Sequence, residues 1–367
     1  MIRLLTIIGA RPQIIKAAAV SRAVRTQFAG QIEETILHTG QHYDENMSEV
    51  FFRELGIPSP DVNLHVGSGS HGVQTAEMLK GIERMLMEQP FDGVLIYGDT
   101  NSTLAGALAA SKLQVPIFHV EAGLRSFNMS MPEEINRIVA DRLGNLLFAP
   151  TETAVRNLSA EGLANHVVLS GDVMYDNALY FAPKAEEQSD IIERLGLKKK
   201  QFVLATIHRP ANTDNKENLH SILRALGDIA ASGIDVVLPL HPRTRARMIN
   251  DGMGALLNDA NIRLRIIEPA SFFEIIRLEK HAQVVMTDSG GVQKEAFFYG
   301  TPCVILRPET EWVEIIDAGA GILADADYER IMAAYRSLAG KQVVFPPLFG
   351  DGHAAERILS EIVKYLR

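Results

Sequence analysis

Short apolar runs bounded by Gly, Pro, Asp or His recur along the chain, and amphipathic stretches of roughly 11–18 residues separate them. In the first half the runs are 4–8, 35–38, 93–98, 116–120, 145–149 and 167–170. In the second half they are 202–207, 235–240, 262–267, 284–287, 302–306 and 321–324. They are continuous rather than alternating, which suits strands buried on both faces, and the helices between them suit parallel crossovers. The pattern predicts an α/β fold of two Rossmann-like doubly wound parallel sheets, six strands in each half. The expected domains are 1–175 plus 353–367, and 176–352, with a polar connection over 180–201. A last helix near 353–366 is expected to cross back to the first domain. Ligands of open parallel sheets bind beyond the carboxyl ends of the strands, so two such domains facing each other would line one cleft with strand-end loops.

Composition narrows the function. The chain has 367 residues, 47 % hydrophobic and 22 % charged, which is ordinary for a globular protein. Its 36 basic and 45 acidic residues give a net charge of −9, which disfavours a dedicated nucleic-acid or anionic-membrane binder. No apolar run reaches the ~18–20 residues of a membrane span, and the first residues do not read as a signal peptide. The single cysteine, Cys303, excludes a disulfide framework and a Cys-based zinc site, and the 11 histidines show no metal-binding spacing. These features predict a soluble cytoplasmic protein without nucleic-acid or membrane partners.

The residues just past each strand carry the chemistry. Arg11 and Lys16 follow the first run; two cations at a helix start suit a phosphate-sized anion, though an exposed surface pair has the same spacing. Asp99 follows 93–98 and could equally cap the next helix. Glu121 ends a buried strand beside Ala122 and Gly123, where an acid needs a partner. Glu133 and Glu134 open another helix, a position that acids favour on dipole grounds alone. Asp99, Glu121 and Glu133 all come from strand ends of one domain, and such a set can act as general acid and base. In the second domain His208-Arg209 and His241-Pro242-Arg243 end two strands, which tilts them from structural histidines towards anion binding. Asp288-Ser289-Gly290-Gly291 opens a helix whose backbone N–H groups and Ser289 hydroxyl suit an oxyanion, and Glu295 one turn on can accept from ribose hydroxyls. Gly67-Ser68-Gly69-Ser70-His71-Gly72 satisfies G-x-G-x-x-G, but it follows the weak segment Val62–Val66 and reads as a flexible loop.

Taken in order, Gly9-Ala10-Arg11-Pro12 with Lys16, Thr39-Gly40-Gln41-His42, Gly98-Asp99-Thr100, His119–Arg125, Pro132–Arg137, His208-Arg209 and Asp288–Gly291 resemble the non-hydrolysing UDP-N-acetylglucosamine 2-epimerases. The resemblance implies a GT-B-like pair of domains and a cytoplasmic homodimer. It also implies elimination of UDP from a UDP-2-acetamido sugar to a bound 2-acetamidoglucal, followed by re-addition with C2 inverted. UDP is retained as an intermediate and no cofactor is implied. By resemblance Asp99, Glu121 and Glu133 exchange the protons and His208 stabilises the departing diphosphate. Arg11, Lys16, Ser289, Gly290 and Gly291 hold that diphosphate, Glu295 takes the ribose, and the backbone near Phe272 takes the uracil. Met131 and Pro210 stand where allosterically activated members have Trp and Arg, and Gln41-His42 is followed by Tyr43-Asp44-Glu45, which argues against activation by a second UDP-GlcNAc. The stretch Arg307–Glu314 looks more like members acting on UDP-2,3-diacetamido-2,3-dideoxy-glucuronate, so both sugars stay open. The alternatives are a GT-B glycosyltransferase, a hydrolysing epimerase and a nucleotide-sugar binding protein without turnover.

Overall fold

The computed structural model describes residues 1–40, 56–57, 59–240, 242–250, 252 and 263–367. The chain divides into two compact units, Met1–Asn177 with Pro347–Arg367, and Ala178–Pro346. The first unit is built on a parallel sheet of β1 (Ile2–Ile8), β2 (Ile32–His38), β3 (Val62–Asn63), β4 (Gly93–Tyr97), β5 (Ile117–Val120), β6 (Leu146–Ala149) and β7 (Val167–Leu169), in the order 3-2-1-4-5-6-7. The second is built on β8 (Phe202–Thr206), β9 (Asp235–Pro239), β10 (Leu264–Ile267), β11 (Val284–Thr287), β12 (Cys303–Ile305) and β13 (Gly321–Leu323), in the order 10-9-8-11-12-13. Both are doubly wound: the chain winds outward from the starting strand, then returns to its other side. The crevice where the order reverses lies between β1 and β4 in one unit and between β8 and β11 in the other.

Burial explains why these runs form strands. Leu4, Leu5, Ile7, Ile8, Val94, Leu95, Ile96 and Tyr97 are all fully buried, as are Val203, Leu204, Val284 and Val285. Helices on both faces supply the other half of each core, such as Met78 and Ile82 against the first sheet, and Leu219 and Ile222 against the second.

Three expectations change. The first sheet has seven strands, because the weak segment after residue 61 contributes the two-residue edge strand β3. The sequence 180–201 is not an open connection: its start is the end of a helix, Val173–Gln188, that runs unbroken from one unit into the other with Pro183 inside it. Polar composition there reflects exposed helical faces rather than a linker. The glycine-rich stretch at 67–72 is a loop only as far as Ser70, since His71 and Gly72 begin the helix His71–Glu88. The C-terminal helix Ala354–Leu366 belongs to the first unit, where Asp176 accepts from its Ala354 and Ala355 N–H groups at 3.1 and 2.8 Å. No helix among the described residues is long and apolar enough to cross a membrane.

Candidate active site

The first unit builds its polar cluster at the carboxyl ends of β1, β4 and β5. The helix Arg11–Thr26 starts directly after β1, with Pro12 in its first turn, and Gln13 closes its N-terminus by accepting from Gly9 and Ala10 N–H. Arg11 is exposed at its first position. Lys16, one turn on, is buried and donates to Glu121 Oε1 at 2.5 Å. Glu121 leaves β5 with φ +67, a left-handed conformation that few non-glycine residues adopt and that tends to persist at functional sites. Gly98 after β4 has φ +61, and a Cβ there would lie 3.0 Å from Lys16 Nζ and 3.6 Å from Glu121 Oε1. A side chain at 98 would therefore strain the backbone and crowd that pair.

Asp99 is not the helix cap that its position allowed. Thr100 takes that role on the helix Asn101–Lys112, accepting from Thr103 N–H at 3.4 Å, and leaves the Asp99 side chain available. Arg137 Nη2 donates to Asp99 Oδ2 at 2.5 Å, while its Nη1 donates to Glu134 at 2.8 Å. Glu134 also accepts from Ser126 N–H, Ser126 Oγ and Phe127 N–H at 2.9, 3.0 and 2.9 Å. Burial alone would lift the Glu134 carboxyl, but those donors hold it below the usual carboxylate range. The paired acid of Glu133-Glu134 is thus a loop anchor. Glu133, in the first turn of the same helix, is exposed. Beneath them His119 bonds Gly98 O at 2.8 Å and Asp141 at 2.7 Å, and Arg125 reaches Asp141 at 2.7 Å. Burial would raise Asp141, yet His119 and Arg125 keep it low.

The second unit builds at the ends of β8 and β11. Asp288 is fully buried and accepts from His208 N–H, Arg209 N–H and the Asn212 amide at 3.1 Å each. His208 Nδ1 lies 3.0 Å from the same carboxylate, while its side chain remains 60 % exposed. Burial works to raise Asp288, but the His208 ring and the neighbouring N–H groups outweigh it and hold the carboxyl low. Ser289 caps the helix Gly290–Phe298, accepting from Val292 N–H at 3.4 Å, so Gly290 and Gly291 form its first turn and Glu295 sits further along it. Phe272 opens the helix Phe272–His281, capped reciprocally by Ser271 and Glu274, and packs edge-on against Phe181. His241, Gln41 and His42 lie outside the described residues, as does the side chain of Arg243.

The structure therefore gathers Lys16, Asp99 and Glu121 in one unit, and His208, Asp288 and Ser289 in the other. Each set flanks its sheet's switch point. Sequence reasoning quoted Arg137, Glu134 and Asp288 within motifs but gave them no role. Their signal was present, since a buried strand-end acid requires donors, but which donors it finds is decided by the fold.

A family model described as UDP-N-acetylglucosamine 2-epimerase matches residues 25–363. The UDP-2,3-diacetamido-2,3-dideoxy-D-glucuronate 2-epimerase of Pseudomonas aeruginosa is 48 % identical over 366 residues, covering 99 % of both chains. A UDP-N-acetylglucosamine 2-epimerase homolog of Methanococcus maripaludis is 47 % identical over 365 residues, 99 % of this chain and 100 % of that one. The crystal structure of Methanocaldococcus jannaschii UDP-GlcNAc 2-epimerase in complex with UDP-GlcNAc and UDP superposes with a TM-score of 0.89 at 40 % identity, covering 99 % of this chain and 100 % of that one.

Proposed function

This chain belongs to the UDP-N-acetylglucosamine 2-epimerase family, and from that premise we propose that it inverts C2 of a UDP-2-acetamido sugar by eliminating UDP and adding it back. It is an epimerase; the transferase and hydrolysing alternatives find no support among the relatives named above. The observation that carries the reading is the pairing of two strand-end carboxylates with cations of their own unit, Asp99 with Arg137 and Glu121 with Lys16.

The chemistry follows from the weak acidity of the C2 proton, which has no adjacent carbonyl. The C1–O bond breaks first, and its electron pair leaves on UDP. A carboxylate then takes the C2 proton, and the C–H pair becomes the C1=C2 bond of a 2-acetamidoglucal. Return of a proton to the opposite face of C2 and attack of UDP oxygen at C1 complete the inversion. Nothing is oxidised or reduced, and the UDP that leaves is the UDP that adds back, so the reaction balances without a cofactor. Asp99, Glu121 and Glu133 share the two proton transfers. Arg11, Lys16, His208, His241, Arg243 and the Ser289-Gly290-Gly291 helix start take the diphosphate charge. Glu295 receives the ribose and the backbone near Phe272 the uracil. The substrate is UDP-GlcNAc or its 2,3-diacetamido-glucuronate analogue; the second is favoured by Arg307–Glu314 and by the 48 % identity to the Pseudomonas enzyme. We further assign a cytoplasmic setting and a homodimer on the strength of the family likeness, the latter checked by sedimentation of the 40.4 kDa chain.

One experiment tests the reading. Incubation with either UDP-sugar in deuterated water, followed by proton NMR, yields a manno product with deuterium at C2 and the UDP linkage intact. Stoichiometric free UDP and free sugar, or no exchange with either substrate, would overturn it.

A further inference from the structure

His119 stands on β5 just ahead of Glu121, and its side chain is fully buried. Its Nε2 lies 2.8 Å from Gly98 O, and its Nδ1 lies 2.7 Å from Asp141 Oδ1. A carbonyl oxygen can only accept. The Asp141 carboxyl already takes Gly123 N–H at 3.1 Å and the Arg125 guanidinium at 2.7 Å. Burial pushes that carboxyl up, but His119 and Arg125 outweigh it and hold it low, so it accepts as well. A neutral imidazole has one donor nitrogen and one acceptor nitrogen, and would turn a lone pair on one of these two oxygens. The charges of the cluster agree. Asp141 and Glu161 bring two negative charges, and Arg125, bonded to both, brings one positive charge. A proton on each nitrogen of His119 supplies the balance that buried charges require.

The same bonds join the two turns that carry the acids. Through Gly98 O the ring fixes the end of β4, immediately before Asp99. Gly98 N–H donates to Val120 O at 3.0 Å, so both backbone polar groups of Gly98 are pinned to β5. Through Asp141 the ring is linked to Gly123 N–H, which closes the turn where Glu121 takes its left-handed conformation.

We propose that His119 is a positioning residue for the epimerisation, a buried imidazolium whose two N–H bonds fix Asp99 and Glu121 relative to each other. The assignment rests on the reading that these two acids move protons at C2. The two transfers occur on opposite faces of the sugar, and each acid must come within hydrogen-bond reach of the same carbon. An error in the separation of the acids is therefore felt in the chemical step. Capture of UDP, assigned to other side chains, is spared.

Heteronuclear NMR of the full-length protein with isotope-labelled histidine counts the ring protons directly. At neutral pH His119 shows two protonated nitrogens, and both signals vanish in His119→Gln. That variant keeps one donor and one acceptor; it lowers kcat for C2 deuterium exchange about 10²-fold, while calorimetric UDP affinity stays near wild type. Where His119→Gln does not fold, backbone correlations assign the wild-type signals, and the proton count still decides. An unprotonated nitrogen on His119, wild-type exchange in folded His119→Gln, or a UDP affinity that falls as far as kcat would overturn the proposal. Wild-type protein that exchanges no deuterium with either UDP-sugar would instead overturn the reading of Asp99 and Glu121 as the proton-transfer acids.

Discussion

The two units share one topology and handle charge in opposite ways at their strand ends. In the first, the two carboxylates proposed to move protons are held by cations: Asp99 by Arg137, and Glu121 by Lys16. In the second, the buried acid Asp288 is itself the holder, and what it presents is the exposed ring of His208 beside a capped helix start. The difference teaches how one fold can suit the two tasks proposed for it, proton transfer and anion capture. A proton-transfer acid must be oriented without being used up as a scaffold, so a cation fixes it from one side. An anion site needs bare donors, so the acid is buried behind them.

Four expected outcomes bear on that contrast. The largest follows from removing an acid that is held: Glu121→Gln or Asp99→Asn lowers C2 deuterium exchange by roughly 10²–10⁴-fold while calorimetric UDP affinity stays near wild type. Next comes the acid that holds. Asp288→Asn frees the His208 ring and lowers kcat about 10²-fold, since misplacement of a catalytic group is felt steeply; measured deuterium exchange with wild-type rates would break the contrast. A smaller effect attends Arg137→Lys, which keeps the charge but cannot serve Asp99 and Glu134 together; kcat/KM drops about tenfold.

The smallest effect concerns a buried acid that escapes the pattern. Glu279 is fully buried, and neither carboxylate oxygen has a hydrogen-bond partner among the described residues. Burial, with Glu295 nearby, pushes its carboxyl well above the ordinary value of 4.5. A raised folded-state value contributes stability that is fully present below pH 4.5 and lost as pH rises through the folded value. Glu279→Met therefore raises the thermal midpoint at pH 8, by an amount equivalent to about 1–3 kcal/mol, and flattens its decline between pH 5 and 8. Scanning calorimetry at several pH values checks this, and activity should not change.

Much of this was legible in the order of residues. Runs such as Leu4–Ile8 and Phe202–Ile207 suit strands covered on both faces, and Asp99, Glu121, His208 and Ser289 fall just after such runs, at the carboxyl edges where ligands of open parallel sheets bind. The edge strand β3 was not legible, because a two-residue strand has no periodicity to read. Nor was the helix through 180–188, where exposed polar faces and Pro183 imitate a linker. Of the adjacent acids Glu133 and Glu134, the sequence reading took Glu133 for proton transfer, but only the fold showed that three donors from Ser126 and Phe127 make Glu134 an anchor.

Sequence by itself determined the strand periods, the residue types at each strand end and the family, because hydrophobic spacing and motif order are properties of the chain. Only the tertiary structure decided which charge meets which. Lys16 and Glu121 are 105 positions apart, and His208 and Asp288 are 80 apart. Such pairs exist only because parallel sheets return distant strands to adjacent places, and no local pattern encodes the contact.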